Sequence, residues 1–114
     1  MIEPDYVTLM ARYNAEMNER WLAAAARLTD AQRREDKGAF FGSIHATFNH
    51  LLWADRVWLW RLAGAEQPSH PREKSTSFVE DFDELASFRR KTDREIVDWA
   101  ERVDTDFLAN PITW

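Results

Sequence analysis

The segment IHATFNHLLWADRVWLWRLA, from Ile44 to Ala63, constrains this chain more than any other stretch. It is too long for a strand, follows Ser43, a strong helix N-cap residue, and stops at Gly64, which tolerates a left-handed C-terminal turn. At about 100° per residue, Ile44, Phe48, Leu51, Asp55, Trp58 and Leu62 fall in one stripe. His45, Asn49 and Arg56 share the opposite, polar stripe, and His50 falls between, near Thr47, Ala54, Val57 and Arg61. Leu52, Trp53, Leu59 and Trp60 widen the apolar coverage until little besides the His45 stripe is left for water. A helix apolar over most of its circumference sits centrally among neighbours.

Two such neighbours are legible. The first runs from Pro4 to about Ala26, with Pro4 suited to a first turn and Asp5 to the helix dipole. Its apolar positions Tyr6, Leu9, Met10, Tyr13, Met17, Trp21, Ala24 and Leu28 step by three and four, which predicts the buried face, with Met10 and Met17 as core filling. Arg12, Glu16, Glu19, Arg20 and Arg27 take the wet side. Thr29 and Gln32 form a capping-box pattern, so a short helical turn follows before Lys37-Gly38. The third long helix is predicted to start at Ser77, with Glu80 completing a capping box, and to bury Phe78, Phe82, Leu85, Phe88, Thr92, Ile96, Trp99 and Val103. The connection AEQPSHPREKST is longer than most bundle turns and permits a crossover. His70 within it is expected to be solvated. The tail reads as a short strand over Thr105–Leu108, a turn at Asn110-Pro111, and a second strand starting at Ile112.

Composition narrows the class. One domain, residues 1–114, is all that the length supports. Six tryptophans and seven phenylalanines imply a core, or a core plus an interface, built on large rings. A formal net charge of -5 excludes the basic stripe of a nucleic-acid binder. No apolar run reaches membrane-spanning length and the N-terminus has no basic leader, so the expectation is a cytoplasmic protein without a membrane partner. With no cysteine, any metal site must use His, Asp or Glu.

Two titratable residues in the central helix invite a functional reading. Asp55, on the apolar stripe, needs a partner, since an uncompensated buried charge costs several kcal/mol. It is read either as a structural bridge to an arginine such as Arg89, or to a backbone N–H, or as a group that orients a histidine. His50 is read either as a partly buried imidazole bonded to a neighbouring helix or as a metal ligand. His45 and His50 are five residues apart and cannot grip one ion as an i, i+4 pair would. Three scattered histidines are a weak metal signal by spacing alone. The acidic cluster Glu80, Asp81, Asp83 and Glu84 suits a helix start.

The residues Ala11-Arg12-Tyr13-Asn14 and Asn18-Glu19-Arg20, with the run from Lys37 to Trp58, resemble the DinB/YfiT-like family of bacterial four-helix bundles. The resemblance covers essentially the whole chain. Its most specific part is the pattern carried by Thr47, Asn49, His50, Asp55 and Trp58. It implies an all-α helical bundle with three long helices and a long crossover between the second and third. It further implies a divalent metal of zinc or nickel type, with His50 as one ligand and two more from an H-x3-H pair on a fourth helix. Asp55 and Asn49 would be orienting or structural groups. The activity it implies is transfer of groups to a low-molecular-weight thiol, or thiol-assisted isomerisation. No H-x3-H pair occurs here; the histidines are His45, His50 and His70. The chain is therefore expected to lack the fourth helix, to be inactive in this form, and to bury the face left open by forming a dimer or larger homo-oligomer. Trp53, Trp60 and Trp114 are the candidates for that face. The alternative expectation is a non-catalytic, self-associating helical module.

Overall fold

Among residues 3–109, which the computed structural model describes, the chain forms α1 (Pro4–Ala26), α2 (Asp30–Arg34), α3 (Ile44–Ala63), a 3-10 helix (Arg72–Ser77), α4 (Phe82–Arg102) and α5 (Thr105–Ala109). The fold class is the expected one, an all-α bundle with three long helices and a crossover before the third. Among the described residues there is no strand, only an isolated antiparallel bridge between Ala39 and Gly42.

The helix limits follow from capping chemistry. Pro4 and Asp5 open α1 without a side-chain cap. Thr29 and Gln32 form the expected reciprocal box at α2. Ser43 Oγ accepts the Ala46 N–H at 3.0 Å, and Gly64 closes α3 at φ 71°, where a Cβ would be strained. The third long helix departs from expectation. Asp81, not Ser77, caps it, accepting the Glu84 N–H at 3.0 Å, while Ser77 ends the 3-10 helix in the crossover. A carboxylate cap competes well here because it also meets the positive end of the helix. The strand expected at Thr105–Leu108 is instead the start of α5, because Asp104 accepts the Phe107 N–H at 2.8 Å and so caps a helical turn. The expected turn at Asn110-Pro111, the second strand and Trp114 lie outside the described residues.

Packing is organised around α4. α1 packs most extensively on it, α3 packs on it and also holds the 3-10 helix, and α2 rests on α3. Leu22, Ala25, Leu52, Phe82, Leu85 and Ala86 form the central cluster, flanked by Ile44, Phe48, Phe78, Val79 and Phe88. Leu22, Leu52 and Leu85 are the fully buried anchors; burying a side chain of this size is worth about 1.5–3 kcal/mol.

The inward faces of α1 and α3 are not the stripes expected from periodicity. On α3 the buried stripe is His45, Asn49, Leu52, Arg56 and Leu59, so the polar stripe expected to face water faces the core. Leu51 and Trp58, from the apolar stripe, are exposed. On α1 the buried residues are Ala11, Leu22 and Ala25, while Leu9 is 64% and Trp21 60% exposed, and Tyr6, Met10 and Tyr13 are open as well. Met10 is thus no core filler. Small residues let α1 lie close to α4, and α4 supplies hydrogen-bond partners that make polar groups acceptable inside. Of the tryptophans expected at an open face, Trp53 and Trp60 are half-buried. No helix among the described residues is long and apolar enough to cross a membrane.

Candidate functional site

Two polar centres are built from α3. The first is closed. Arg89 of α4, 3% exposed, donates to Asp55 Oδ2 at 2.5 Å and, through Nε and Nη2, to Asp93 Oδ1 at 3.0 and 2.7 Å. Asn18 of α1 completes it by donating Nδ2 to both Asp93 oxygens, at 3.1 and 3.2 Å. Three long helices are thus joined in one network, Arg89 meeting Asp55 and Asp93 while Asn18 meets Asp93. Burial pushes the Asp93 carboxyl above its ordinary value, opposed by Arg89 and Asn18. Arg56 forms a neighbouring link, donating to Thr92 Oγ1 at 3.3 Å and pairing with Glu95. Asp55 therefore takes the arginine bridge read from the sequence.

The second centre is open. The turn at Lys37–Ser43, closed by the Gly42 N–H donating to Ala39 O at 2.9 Å, seats Phe41 on His50, with ring centroids 4.1 Å apart and planes 22° from parallel. The 3-10 helix brings buried Ser75 to the opposite edge of the imidazole, Oγ lying 2.9 Å from His50 Nδ1. With Nδ1 protonated, that ring edge donates to Ser75 and Nε2 keeps its lone pair, the state a metal ligand requires. Nε2 has no hydrogen bond among the described residues. His50 lines a cleft of about 580 Å³ together with Trp53, Val57, Trp58, Arg61 and Arg72. Trp53 is fixed by donating Nε1–H to His70 O at 2.9 Å. His70, expected to be solvated, is half-buried with its ring edge-on to Phe78, because the crossover folds back over α3.

The remaining site candidates fall elsewhere. Asn49 is fully buried and its amide is spent elsewhere than on the His50 ring; its Nδ2 donates to His45 O at 3.0 Å and its Oδ1 accepts the Val79 N–H. It is a clamp between α3 and the entry to α4. His45, expected at the surface, is 4% exposed and neither ring nitrogen has a hydrogen-bond partner among the described residues. Burial first, and then the Arg34 charge, hold its imidazole below the ordinary value of 6.5, so the ring is kept neutral. Sequence reasoning missed Ser75, Phe41 and Arg72. Each reaches His50 or its cleft from a loop or a 3-10 turn, where no periodicity points to a partner.

As a metal centre, the described residues do not fit a three-ligand site. No group of three or more His, Asp or Glu side chains converges among them, and His50 stands as a single ordered donor. The family model for the DinB family matches the chain over residues 1–114. The chain belongs to the DinB family. No curated protein and no solved structure matches it. The match over residues 1–114 agrees with the helical bundle; in that bundle the second long helix presents His50 to a cleft, while Asn49 and Asp55 serve the packing of the helix.

Proposed function

We propose that this DinB-family chain supplies one ligand, His50, to a divalent-metal centre of zinc or nickel type that serves group transfer to a low-molecular-weight thiol. What supports this reading is the His50 imidazole itself, ordered at Nδ1 by buried Ser75, stacked on Phe41, and bordering a cleft with Nε2 unbonded among the described residues. A divalent metal at such a place favours the thiolate form of a bound thiol. His50 alone does not complete the centre, so the other donors come from other polypeptide, a second copy of the chain included. Without them the chain is inactive. A reaction with reduced thiols belongs in the cytoplasm.

The test joins metal content and affinity, measured by chelator competition, to the mass in solution of the same sample. Binding that approaches one metal per chain and disappears in His50→Ala supports the reading. Affinity no better than that of a free imidazole, in every oligomeric form found, would overturn it.

A second reading, a non-catalytic helical module that self-associates, is favoured by one observation. Tyr6, Leu9, Met10, Tyr13 and Trp21 leave the α1 stripe open, and Met10 lines one cleft of about 400 Å³ with Trp58 and Leu62 of α3. An apolar face of this kind is buried by association. Light scattering should report a dimer or larger species that Leu9→Ser with Trp21→Ser converts to monomer. A wild-type monomer at high concentration would remove this reading.

A further inference from the structure

The chain between α1 and α3 is a strap rather than a packed element. Its helix, α2, has five residues and buries none of them, and a helix that short is not stable by itself. Two arginines hold it to the bundle. Arg33 donates Nη1 to Ala25 O at 3.0 Å and to Leu28 O at 2.5 Å, at the end of α1, and its guanidinium lies 4.0 Å from the Phe82 ring centroid. Arg34 donates to Glu80 O and, at 3.2 Å, to Glu80 Oε2, just ahead of α4. The turn that follows is closed on itself, Lys37 N–H donating to Gly42 O at 2.8 Å and Gly42 N–H to Ala39 O at 2.9 Å. It meets α3 through Phe41, stacked on the His50 ring.

His45, buried in the first turn of α3, faces this strap. The charges that act on it are Asp30, Arg33 and Arg34 of α2 and Glu80 before α4. Both carboxylates are already engaged by the arginines, Asp30 with Arg34 at 2.9 Å and Arg33 at 3.8 Å, and Glu80 with Arg34. A proton on His45 therefore sets a third cation against two others at a place from which water is excluded. Burial, and then the Arg34 charge, hold the imidazole below its ordinary 6.5 while α2 is docked. The docked strap thus binds a proton less tightly than the open one, and acid moves the balance towards the open form.

We infer that residues 29–42 form an acid-sensitive latch, in which protonation of His45 frees α2 from α3 and from Glu80, and the turn carried behind it takes Phe41 off the His50 ring. The bundle underneath stays folded, because its anchors Leu22, Leu52 and Leu85 belong to α1, α3 and α4. Opening of this kind draws on the least stable part of a fold, and α2 has little burial to lose. His50 then keeps its bond to Ser75 and loses its aromatic cover. The latch acts on the imidazole that the metal reading uses, but its opening needs no metal.

The experiment follows the full chain, without added metal, by NMR from about pH 7.5 to about pH 5 at constant ionic strength. Ring C–H resonances of His45 and His50 report each protonation, the Gln32 and Arg33 amides report α2, and the NOE between the Phe41 and His50 rings reports the stack. The open population is expected to rise about tenfold for each pH unit below 6.5, because one proton is linked to opening. Leu52 and Leu85 should keep their native shifts throughout. Tryptic cleavage after Arg33 and Arg34, normalised to the free peptide of residues 29–38, should accelerate over the same range. His45→Leu and His45→Gln, neither of which titrates, should remove the rise by both readouts. His50→Ala should leave the release of α2 unchanged, which separates failure of the latch from failure of the metal reading. An α2 that stays docked while His45 protonates, a Phe41 that stays on His50, release that persists in both His45 variants, or loss of the Leu85 signals at the same midpoint would overturn the inference.

Discussion

The Arg89 centre and the His50 cleft sit on the same helix and use the same kinds of residue, yet one is finished and the other is not. Around Arg89, Asp55, Asp93 and Asn18 satisfy one another across three helices, and Arg89 and Asp93 are buried. Around His50, Ser75 and Phe41 fix the ring, but Nε2 and Arg72 have no hydrogen-bond or ion-pair partner among the described residues. A buried charge must be compensated for the chain to fold, whereas a group that acts on a ligand must be left with capacity to spare. The contrast separates a centre that holds the bundle together from one that is available to another molecule.

The strongest challenge to that contrast is Arg89→Met. It should cost about 3–5 kcal/mol in urea unfolding, because Asp93 is left buried without its cation. Adding Asp93→Leu should recover a large part of the loss, since an apolar pair replaces the ionic one. A loss below about 1 kcal/mol would mean that the centre does not organise the fold.

Asn49→Ala comes next, at about 2 kcal/mol by the same measurement, because it removes a fully buried amide and leaves the partly buried Val79 N–H without its acceptor. Metal affinity should be unchanged at constant fold. A selective loss of metal binding would move Asn49 from clamp to site.

His45 sharpens the comparison as a third case, buried but without a hydrogen-bond partner among the described residues. Its native pKa lies below 6.5, so as pH falls below that value the unfolded chain takes up a proton that the native chain refuses. Stability should be complete above about pH 6.5 and decline below it, levelling once the native ring also protonates. Asp30, Arg33 and Arg34 of α2 and Glu80 before α4 are the charges that act on it. Asp93, whose value is raised, contributes with the opposite sign nearer its ordinary 3.8, where the native chain holds the extra proton. His45→Leu should flatten the upper part of the profile and stabilise the protein by about 1 kcal/mol at neutral pH, by removing unpaired polar atoms. An unchanged slope of urea-derived stability between pH 5 and 6.5 would refute this assignment.

The smallest expected effect is that of Asp55→Asn. Its carboxylate is one-third exposed and solvent screens its bond to Arg89, so the loss should be about 0.5–1 kcal/mol. Metal binding should survive it. Loss of metal in Asp55→Asn without loss of stability would show that the two centres are one.

Much of the bundle was readable because caps and periodicity are local. Pro4, Ser43 and Gly64 mark helix limits by their own chemistry, and the chain obeys them. The Asp55–Arg89 bridge was also legible, since a carboxylate on a greasy stripe demands a cation. Periodicity failed where facing helices choose between two stripes. His45, Asn49 and Arg56 turned inward because Thr92, Glu95 and the Val79 N–H offered partners or packing there, while Leu9 and Trp21 were left outside.

The candidate site divides in the same way. His50 stood out through its family motif, and the match over residues 1–114 places the chain in the DinB family. Ser75, Phe41 and Arg72 did not stand out, because they sit 25, nine and 22 residues from His50 in segments without a repeat. By itself, the sequence determined the all-α class, the three long helices and most of their ends, since those depend on neighbours within a few residues. Only the tertiary structure decided which faces are buried and what surrounds His50, because a hydrogen bond or an ion pair belongs to two distant segments at once.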